Sequence, residues 1–291
     1  MPSASSLPKP TFDSPAGPCS RFVDAVLTVA LAAACAACGQ PLDQPSSGAV
    51  CPACWATLRV YTPPLCARCG APLPSGCGAS ANAGSAEAPD EEAAARCPAC
   101  WNVDRAVDME RAVGPHEGTL RDVVHALKYH GLVSVAEPLA TRMRAVGCDV
   151  LRGADAAIPV PLHPAREWRR GFNQAELLAR EIGLPVVHAL CRARATAPQT
   201  GLGSRERRRN VREAFALAAF PSARGAARWI NVIHRWDARQ TAAWVAGRVL
   251  VLVDDVSTTG ATLDACARTL KAAGARQVRA ITAARAVPAP R

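Results

Sequence analysis

Residues 248–262 read Arg-Val-Leu-Val-Leu-Val-Asp-Asp-Val-Ser-Thr-Thr-Gly-Ala-Thr, and the order of chemical types in this stretch decides the fold. Val249 to Val253 is an unbroken run of Val and Leu, the pattern of a parallel strand covered on both faces. Asp254 and Asp255 then fall at its carboxyl end, where open α/β sheets place their ligands. Ser257, Thr258, Thr259, Gly260, Ala261 and Thr262 come next. Small or apolar residues at 263, 266, 267 and 270 continue as an amphipathic helix from Leu263 to Ala273, stopped by Gly274. Backbone N–H groups at a helix N-terminus, with four hydroxyls and a glycine that permits close approach, form a phosphate cradle. Two acids just ahead of it suit the hydroxyls of a sugar, because carboxylates accept hydrogen bonds and vicinal hydroxyls donate them. The competing reading is an ordinary strand-to-helix turn in which Asp255 or Ser257 caps the helix. A single matching residue would leave that reading standing; so many polar and glycine positions in the right order weigh against it. No Gly-Lys-Ser/Thr is present, so this is not a Walker loop.

A chain of 291 residues accommodates one full α/β domain and a smaller module. The formal charge is +10, but only Lys9, Lys128 and Lys271 among the 34 basic residues are lysines. With so much alanine, this bias points to nucleotide composition and weakens net charge as a clue to a partner. The placement of the arginines still matters, since a guanidinium is the better phosphate fork. Between 163 and 213 there are 11 Arg against 5 Glu, so six of the ten surplus charges lie in that span. Nucleic acid could use such a surface, and charge alone does not discriminate. The 13 aromatic residues are few for an extended base-stacking platform.

Eight of the thirteen cysteines sit in four Cys-x-x-Cys pairs, the spacing of zinc knuckles in a reducing compartment. An internal repeat organises them. Cys-Ala-Ala-Cys-Gly-Gln-Pro-Leu at 35–42 matches Cys-Ala-Arg-Cys-Gly-Ala-Pro-Leu at 66–73, and Cys-Pro-Ala-Cys-Trp occurs at 51 and again at 97. The repeat order assigns Cys35, Cys38, Cys51 and Cys54 to one zinc ion and Cys66, Cys69, Cys97 and Cys100 to another. Four thiolates close a tetrahedral structural site with no open catalytic position. A cross-braced pairing (35, 38, 66, 69 with 51, 54, 97, 100) is the alternative, which the duplicated order disfavours. A module this small needs the metal to fold.

Outside these motifs, residues 1–21 read as a disordered tail, 22–104 as the double zinc-ribbon module and 105–291 as the α/β domain. Phe22 to Ala34 could pass for a signal peptide, but it carries Asp24 and is too short to cross a bilayer. It reads as a short helix on the zinc module, and a cytoplasmic protein with no membrane span is expected. Ser75 to Arg96 reads as a low-complexity mobile loop. A short strand is expected within 106–113, helices over 117–129 and 132–146, a buried strand over 156–160, a helix over 175–182 and a last strand over 277–284. His125 and His130 read as surface or packing residues. Arg166, Arg169 and Arg170 lie between the 156–160 strand and the helix after it, and make a second candidate anion site. Cations at a helix start oppose the macrodipole and so call for another reason to be there. Residues 191–210, with Gln199, Ser204 and Arg207, read as a loop that closes over a substrate. Trp229, Trp236 and Trp244 recur at helical spacing, without a functional reading.

The strand, the acid pair and Val-Ser-Thr-Thr-Gly-Ala-Thr resemble the phosphoribosyl pyrophosphate (PRPP) loop of type I phosphoribosyltransferases. Several further stretches join that loop and the double cysteine repeat: Leu-Lys-Tyr-His-Gly (127–131), Val-Pro-Leu-His-Pro (160–164), Arg-Gly-Phe-Asn-Gln-Ala (170–175), Gln199, Arg207 and Asn210. In combination they resemble the ComF family of competence-associated proteins over about residues 22–285. The 75–96 loop and the Trp-bearing segment before Arg248 depart from its pattern. The resemblance implies a cytoplasmic bacterial protein linked to uptake of single-stranded DNA, with a type I phosphoribosyltransferase fold: a parallel sheet with flanking helices. It further implies that Asp254 and Asp255 hold the ribose of Mg²⁺-bound PRPP and Ser257 to Thr262 its 5′-phosphate. Arg166 and Arg170 would meet the pyrophosphate, with Gln199 and Arg207 on the closing loop. Transfer of phosphoribose to a nitrogen nucleophile is one expectation. A non-catalytic module for single-stranded DNA or a competence helicase, and a PRPP sensor, are the others.

Overall fold

The computed structural model of the protein describes residues 33–73, 96–101, 103, 105–192, 214–219 and 237–286. Its frame is a four-stranded, all-parallel sheet in the order β1-β6-β5-β2. The strands are β1 (Met109–Pro115), β2 (Ala156–Pro159), β5 (Val249–Ser257) and β6 (Gln277–Arg285). A separate antiparallel pair, β3 (Leu190–Arg192) and β4 (Phe215–Leu217), stands beside it. The central strand is the one expected: Val249 is 3% exposed and Leu250 to Val253 are wholly buried. Truncating Leu250 or Leu252 to Ala at such positions costs about 2–5 kcal/mol.

Helices cover both faces, which is why β5 can be apolar on both sides. On one face lie α3 (Gly118–Tyr129), α4 (Ala136–Val146), the short α5 (Cys148–Leu151) and α7 (Gln174–Arg180). They bury Val123, Leu127, Leu139, Met143 and Leu178 against Val251, Val253 and Ile281. On the other face lie α8 (Ala238–Val245) and α9 (Ala261–Ala272), which bury Val245, Leu263, Cys266 and Leu270 against Leu250, Leu252 and Ala280. The connections from neighbouring β2 and β5 therefore leave toward opposite faces, and a ligand crevice is expected where they part.

Most elements fall where the periodicity puts them, with three differences. The strand runs past the acids to Ser257, because β6 is long enough to partner Asp254 at Thr282, Val256 at Ala284 and Ser257 at Arg285. The first strand lies at 109–115 and not 106–113. A short helix, α6 (Pro164–Arg170), occupies what reads in sequence as a connection. Its Arg169 and Arg170 sit in the last turn, where the macrodipole favours cations. They therefore do not oppose a helix start, and their presence is explained without a ligand. Trp244 lies on α8 with the Arg248 guanidinium 4.6 Å from its ring centroid; Trp229 and Trp236 are outside the described residues, as are the expected tail, most of the 22–34 helix and most of the 75–96 loop. Among the described residues no helix is long and apolar enough to cross a membrane.

The cysteine repeat is reproduced bond for bond. The Cys35 N–H donates to Gln40 O and the Gly39 N–H to Cys35 O, both at 2.8 Å; in the second copy, Cys66 N–H meets Ala71 O at 2.8 Å and Gly70 N–H meets Cys66 O at 2.9 Å. Gly39 and Gly70 take φ of 72° and 66°, the left-handed conformation that the knuckle turn requires and glycine adopts without strain. Each copy ends in a helical turn, α1 (Pro52–Ala56) and α2 (Pro98–Trp101). The two copies dock differently. The first joins the α3 side of the sheet's apolar core through Cys35, Leu42, Val50 and Cys54, with the Arg142 guanidinium 4.0 Å from the Trp55 ring centroid. The second has a separate small core of Cys66, Cys69, Leu73, Cys97 and Cys100, and meets the sheet through polar contacts.

Candidate functional site at the carboxyl edge of the sheet

Alternation along β5 sends Asp254 and Asp255 to opposite faces, and their surroundings differ accordingly. Asp255 is 6% exposed. Its Oδ1 lies 3.0 Å from Lys128 Nζ at the end of α3, and its Oδ2 accepts from Gln174 Nε2, also at 3.0 Å, at the start of α7. Asp254 faces α9. It is half-buried and accepts the Asp255 backbone N–H at 2.9 Å. Burial, with the neighbouring Asp255 charge, raises the Asp254 carboxyl to about 8 from an ordinary 3.8. One acid is thus locked into an ion pair and the other is held largely neutral near pH 7.

Past Ser257 the chain turns through Thr258 and Thr259 to Gly260, which has φ of 72° and is the residue preceding α9. No side chain caps this twelve-residue helix, so its first N–H groups lack the partner that the ordinary turn reading assigns to Asp255 or Ser257. The Thr259 hydroxyl is 3.4 Å from the Ala261 N–H. Thr258 is exposed; Thr259, Ala261 and Thr262 are half-buried; Ser257 and Gly260 are buried. Around the acids, the Ser257 Oγ, the Thr282 Oγ1 beside Asp254 and the Gln174 Oε1 beside Asp255 are buried and make no hydrogen bond. Buried polar atoms normally are paired. A ligand rich in hydroxyl and phosphate oxygens offers partners for the two hydroxyls.

The arginine candidates are brought only partly to this edge. Arg170 lies over the Tyr129 ring, 5.0 Å from its centroid and one residue from Lys128. Arg166 is exposed, and its charge acts on Arg192 of β3. Gln199 and Arg207 lie outside the described residues, in the connection between β3 and β4. His125 packs against both Tyr129 and His130, with ring centroids 4.5 Å and 5.5 Å away. Three contributors carry no role in the sequence reading: Lys128, Gln174 and His116. The imidazole of His116 is pushed down by burial and by the Lys128 charge, with Asp255 opposing. Lys128 and Gln174 stand inside the motifs Leu-Lys-Tyr-His-Gly and Arg-Gly-Phe-Asn-Gln-Ala, which is the signal that could have found them.

The cysteines form two sets, Cys35, Cys38, Cys51, Cys54 and Cys66, Cys69, Cys97, Cys100, with all ligand atoms in each set within 4.8 Å of one another. A tetrahedron with Zn–S bonds of about 2.3 Å has edges of ~3.8 Å. The Cys38–Cys51 and Cys69–Cys97 sulfur separations are 3.9 Å and 3.6 Å. The Cys51 and Cys97 N–H groups each donate at 3.3 Å, to Cys35 Sγ and Cys66 Sγ. Both four-sulfur sites fit zinc ribbons, and the sets follow the repeat order instead of the cross-braced alternative.

Comparison with known proteins agrees with both halves of the chain. Residues 26–85 match the Double zinc ribbon domain and residues 169–289 the Phosphoribosyl transferase domain. The chain is 30% identical over 261 residues to the DNA utilization protein YhgH of Salmonella typhi, covering 84% of this chain and 93% of that protein. It is 26% identical over 251 residues to Competence protein F of Haemophilus influenzae, covering 81% and 90%. To Competence protein ComFC of Bacillus subtilis it is 23% identical over 228 residues, covering 76% and 77%. A phosphoribosyltransferase-type sheet carrying its acid pair at the carboxyl edge, joined to a double zinc ribbon and aligned with these relatives over most of their length, makes the chain a member of the ComF family.

Proposed function

We propose that the carboxyl edge of the sheet binds PRPP with its Mg²⁺ and transfers phosphoribose to a nitrogen nucleophile, in a cytoplasmic protein serving DNA uptake. The observation that carries this reading is the adjacency of the half-buried Asp254 carboxyl to the uncapped N-terminus of α9 across the Ser257–Thr262 turn. A ribose 5-phosphate carries a diol and a phosphate, the two groups that a carboxylate and a helix N-terminus respectively bind. Asp254 and Asp255 hold the ribose, with Asp254 the more accessible acceptor and Asp255 kept in place by Lys128 and Gln174. Ser257 to Thr262 receive the 5′-phosphate through backbone N–H groups and hydroxyls. Lys128 and Arg170, with Arg166 on the same short helix, would meet the pyrophosphate, and Mg²⁺ bound with it would offset the charge of the leaving group. Glycosyl transfer of this kind develops positive charge on the sugar, so the chain contributes placement and charge compensation and no covalent nucleophile. Support comes from the match to the Phosphoribosyl transferase domain over 169–289.

Titrating Mg²⁺-PRPP into wild type, Asp254→Asn and Asp255→Asn tests it. Heat in wild type that is lost in both variants is expected; equal heats in all three remove the site. Binding without release of pyrophosphate in the presence of acceptors would make the protein a PRPP sensor.

A second reading has its own observation. Trp168 on α6 is 89% exposed, between Glu167 and the guanidinium-bearing Arg169 and Arg170, and Tyr129 is 62% exposed under Arg170. Aromatic faces interleaved with arginines suit the bases and phosphates of single-stranded DNA. A salt series of binding to single-stranded DNA decides: a slope that flattens in Trp168→Ala/Arg169→Ala supports the contact, and undetectable affinity at low salt ends it.

A further inference from the structure

The second cysteine set is tied to the phosphate loop through one buried arginine. Arg105 follows Cys100 closely in the chain, and its side chain is 9% exposed. A Cβ on Gly260 would run into Arg105 Nη2, so the guanidinium fills the place where any other residue at 260 would put its side chain. The same Nη2 makes no hydrogen bond and lies 3.2 Å from Glu110 Oε2. Glu110 is wholly buried in β1 and also faces Arg285 Nη2 at 3.4 Å. Arg285 donates through Nη1 to the Cys69 carbonyl. Arg68, between the paired cysteines of the same knuckle, donates to Arg105 O at 2.6 Å and accepts the Glu110 N–H at 2.7 Å. Gly70 closes the contact: a Cβ there would meet Glu110 O at 2.7 Å. The Ala106 N–H, one residue on, donates to Asp264 in the first turn of α9.

From these contacts we infer that Arg105 is a positioning residue for the phosphate loop, and that the metal state of the Cys66, Cys69, Cys97 and Cys100 site sets the anion affinity of that loop. The knuckle holds the Arg105 carbonyl through the Arg68 guanidinium and holds Glu110 and Arg285 through the Arg68 and Cys69 carbonyls, and the Arg105 side chain packs against the loop at Gly260. Loss of metal frees the knuckle, the guanidinium leaves the space under Gly260, and the N–H groups at the start of α9 lose their fixed aim. Among the described residues the first cysteine set has no such route to Gly260: it docks on the α3 and α4 side through apolar contacts, with Thr57–Thr119 and Arg59–Glu117 beside them. That the anion is PRPP rests on the function proposed above; the coupling itself does not.

The test uses the full chain and three readouts: zinc per chain, amide hydrogen exchange of residues 257–264 without ligand, and the Kd for Mg²⁺-PRPP. Cys97→Ser is expected to bind one zinc instead of two and to exchange the loop amides about 10-fold faster. Its PRPP affinity should fall by about 10-fold, within the ordinary range of coupling between sites. Arg105→Met should give the same loop and affinity changes with both zinc ions retained, and Arg105→Lys, which keeps the ion pair, should recover most of each. If Arg105→Met does not fold, Arg105→Met/Glu110→Gln removes the buried pair together and is read in its place. Loop exchange that is unchanged in both the cysteine and the arginine variants overturns the inference. If wild type shows no heat with PRPP, the phosphoribose reading falls while the ligand-free exchange still decides the coupling.

Discussion

Replacing Asp254 with Asn tests the electrostatics of the acid pair without any ligand. A carboxyl whose folded value stands near 8 against an ordinary 3.8 binds its proton more tightly in the native than in the unfolded chain. Its contribution to stability is complete below about pH 3.8 and is lost as pH rises through 8. At about 1.4 kcal/mol per unit the full shift corresponds to ~6 kcal/mol. Asp254 keeps some contact with water, and Lys128 partly offsets the charge, so a screened figure of ~1–2 kcal/mol is the working expectation. Asn has the same shape and can still accept the Asp255 N–H that Asp254 receives at 2.9 Å, but it does not ionise.

Thermal melts of wild type and Asp254→Asn between pH 5 and pH 9 read the difference. The variant should gain on wild type progressively from pH 5 and lead it by about 3–6 °C at pH 9, since ~1 kcal/mol moves Tm by a few degrees in a domain of this size. Titration of the cysteine sites affects both proteins alike and cancels from the comparison. Saturating Mg²⁺-PRPP should stabilise wild type more at pH 8.5 than at pH 6, because the ribose hydroxyls need the ionised acid. Parallel Tm curves for the two proteins across the whole range would refute the reasoning, showing that Asp254 ionises at an ordinary pH in the fold.

The other expectations are more direct. Elemental analysis should find two zinc ions per chain, and a strong chelator should abolish the folded ribbon signals by circular dichroism. Lys128→Met leaves the Asp255 carboxylate with Gln174 alone and should cost about 3 kcal/mol by denaturant melting. Lys128→Met/Asp255→Asn should recover much of that loss, since the uncompensated charge goes with the carboxylate. Gly260→Ala puts a methyl group both at a φ of 72° and into the Arg105 guanidinium. It should lower stability by at least ~1 kcal/mol and weaken PRPP binding together, as measured by melting and titration.

The parts of the site legible in sequence are those that one segment makes by itself. Val249 to Val253, the two acids and the hydroxyl-rich turn are contiguous, and the cysteine knuckles repeat locally, so periodicity and spacing reach them. Lys128, Gln174 and Arg105 are different, because topology makes their roles. Lys128 closes a helix whose apolar face predicts only burial, and it meets Asp255 because α3 returns along the sheet toward β5. Arg105 meets Gly260 only after β1 and β6 pair and bring the knuckle against α9. The α6 helix has a local signal that composition hides: Pro164 at its first position and His163, whose Nδ1 accepts the Ala165 N–H at 3.2 Å, form an N-terminal start. By composition alone the same prolines suggest a loop.

The charges around the loop explain why these pieces need one another. Asp255 and Lys128 neutralise each other, and Asp254 holds its proton near pH 7. Arg105 and Arg285 share the single carboxylate of Glu110, so those three side chains alone carry one excess positive charge in a largely buried setting, with the thiolates of the second cysteine set beyond Arg285. The uncapped start of α9 adds its partial positive charge from the other side of Gly260. Burying an excess cation beside a helix N-terminus costs stability, and here the second ribbon supplies the carbonyls that make it tolerable. An incoming phosphate would convert that cost into binding. Zinc at the second cysteine set, the left-handed Gly260 and the anion then belong to one electrostatic arrangement, and weakening any of them should be felt by the other two.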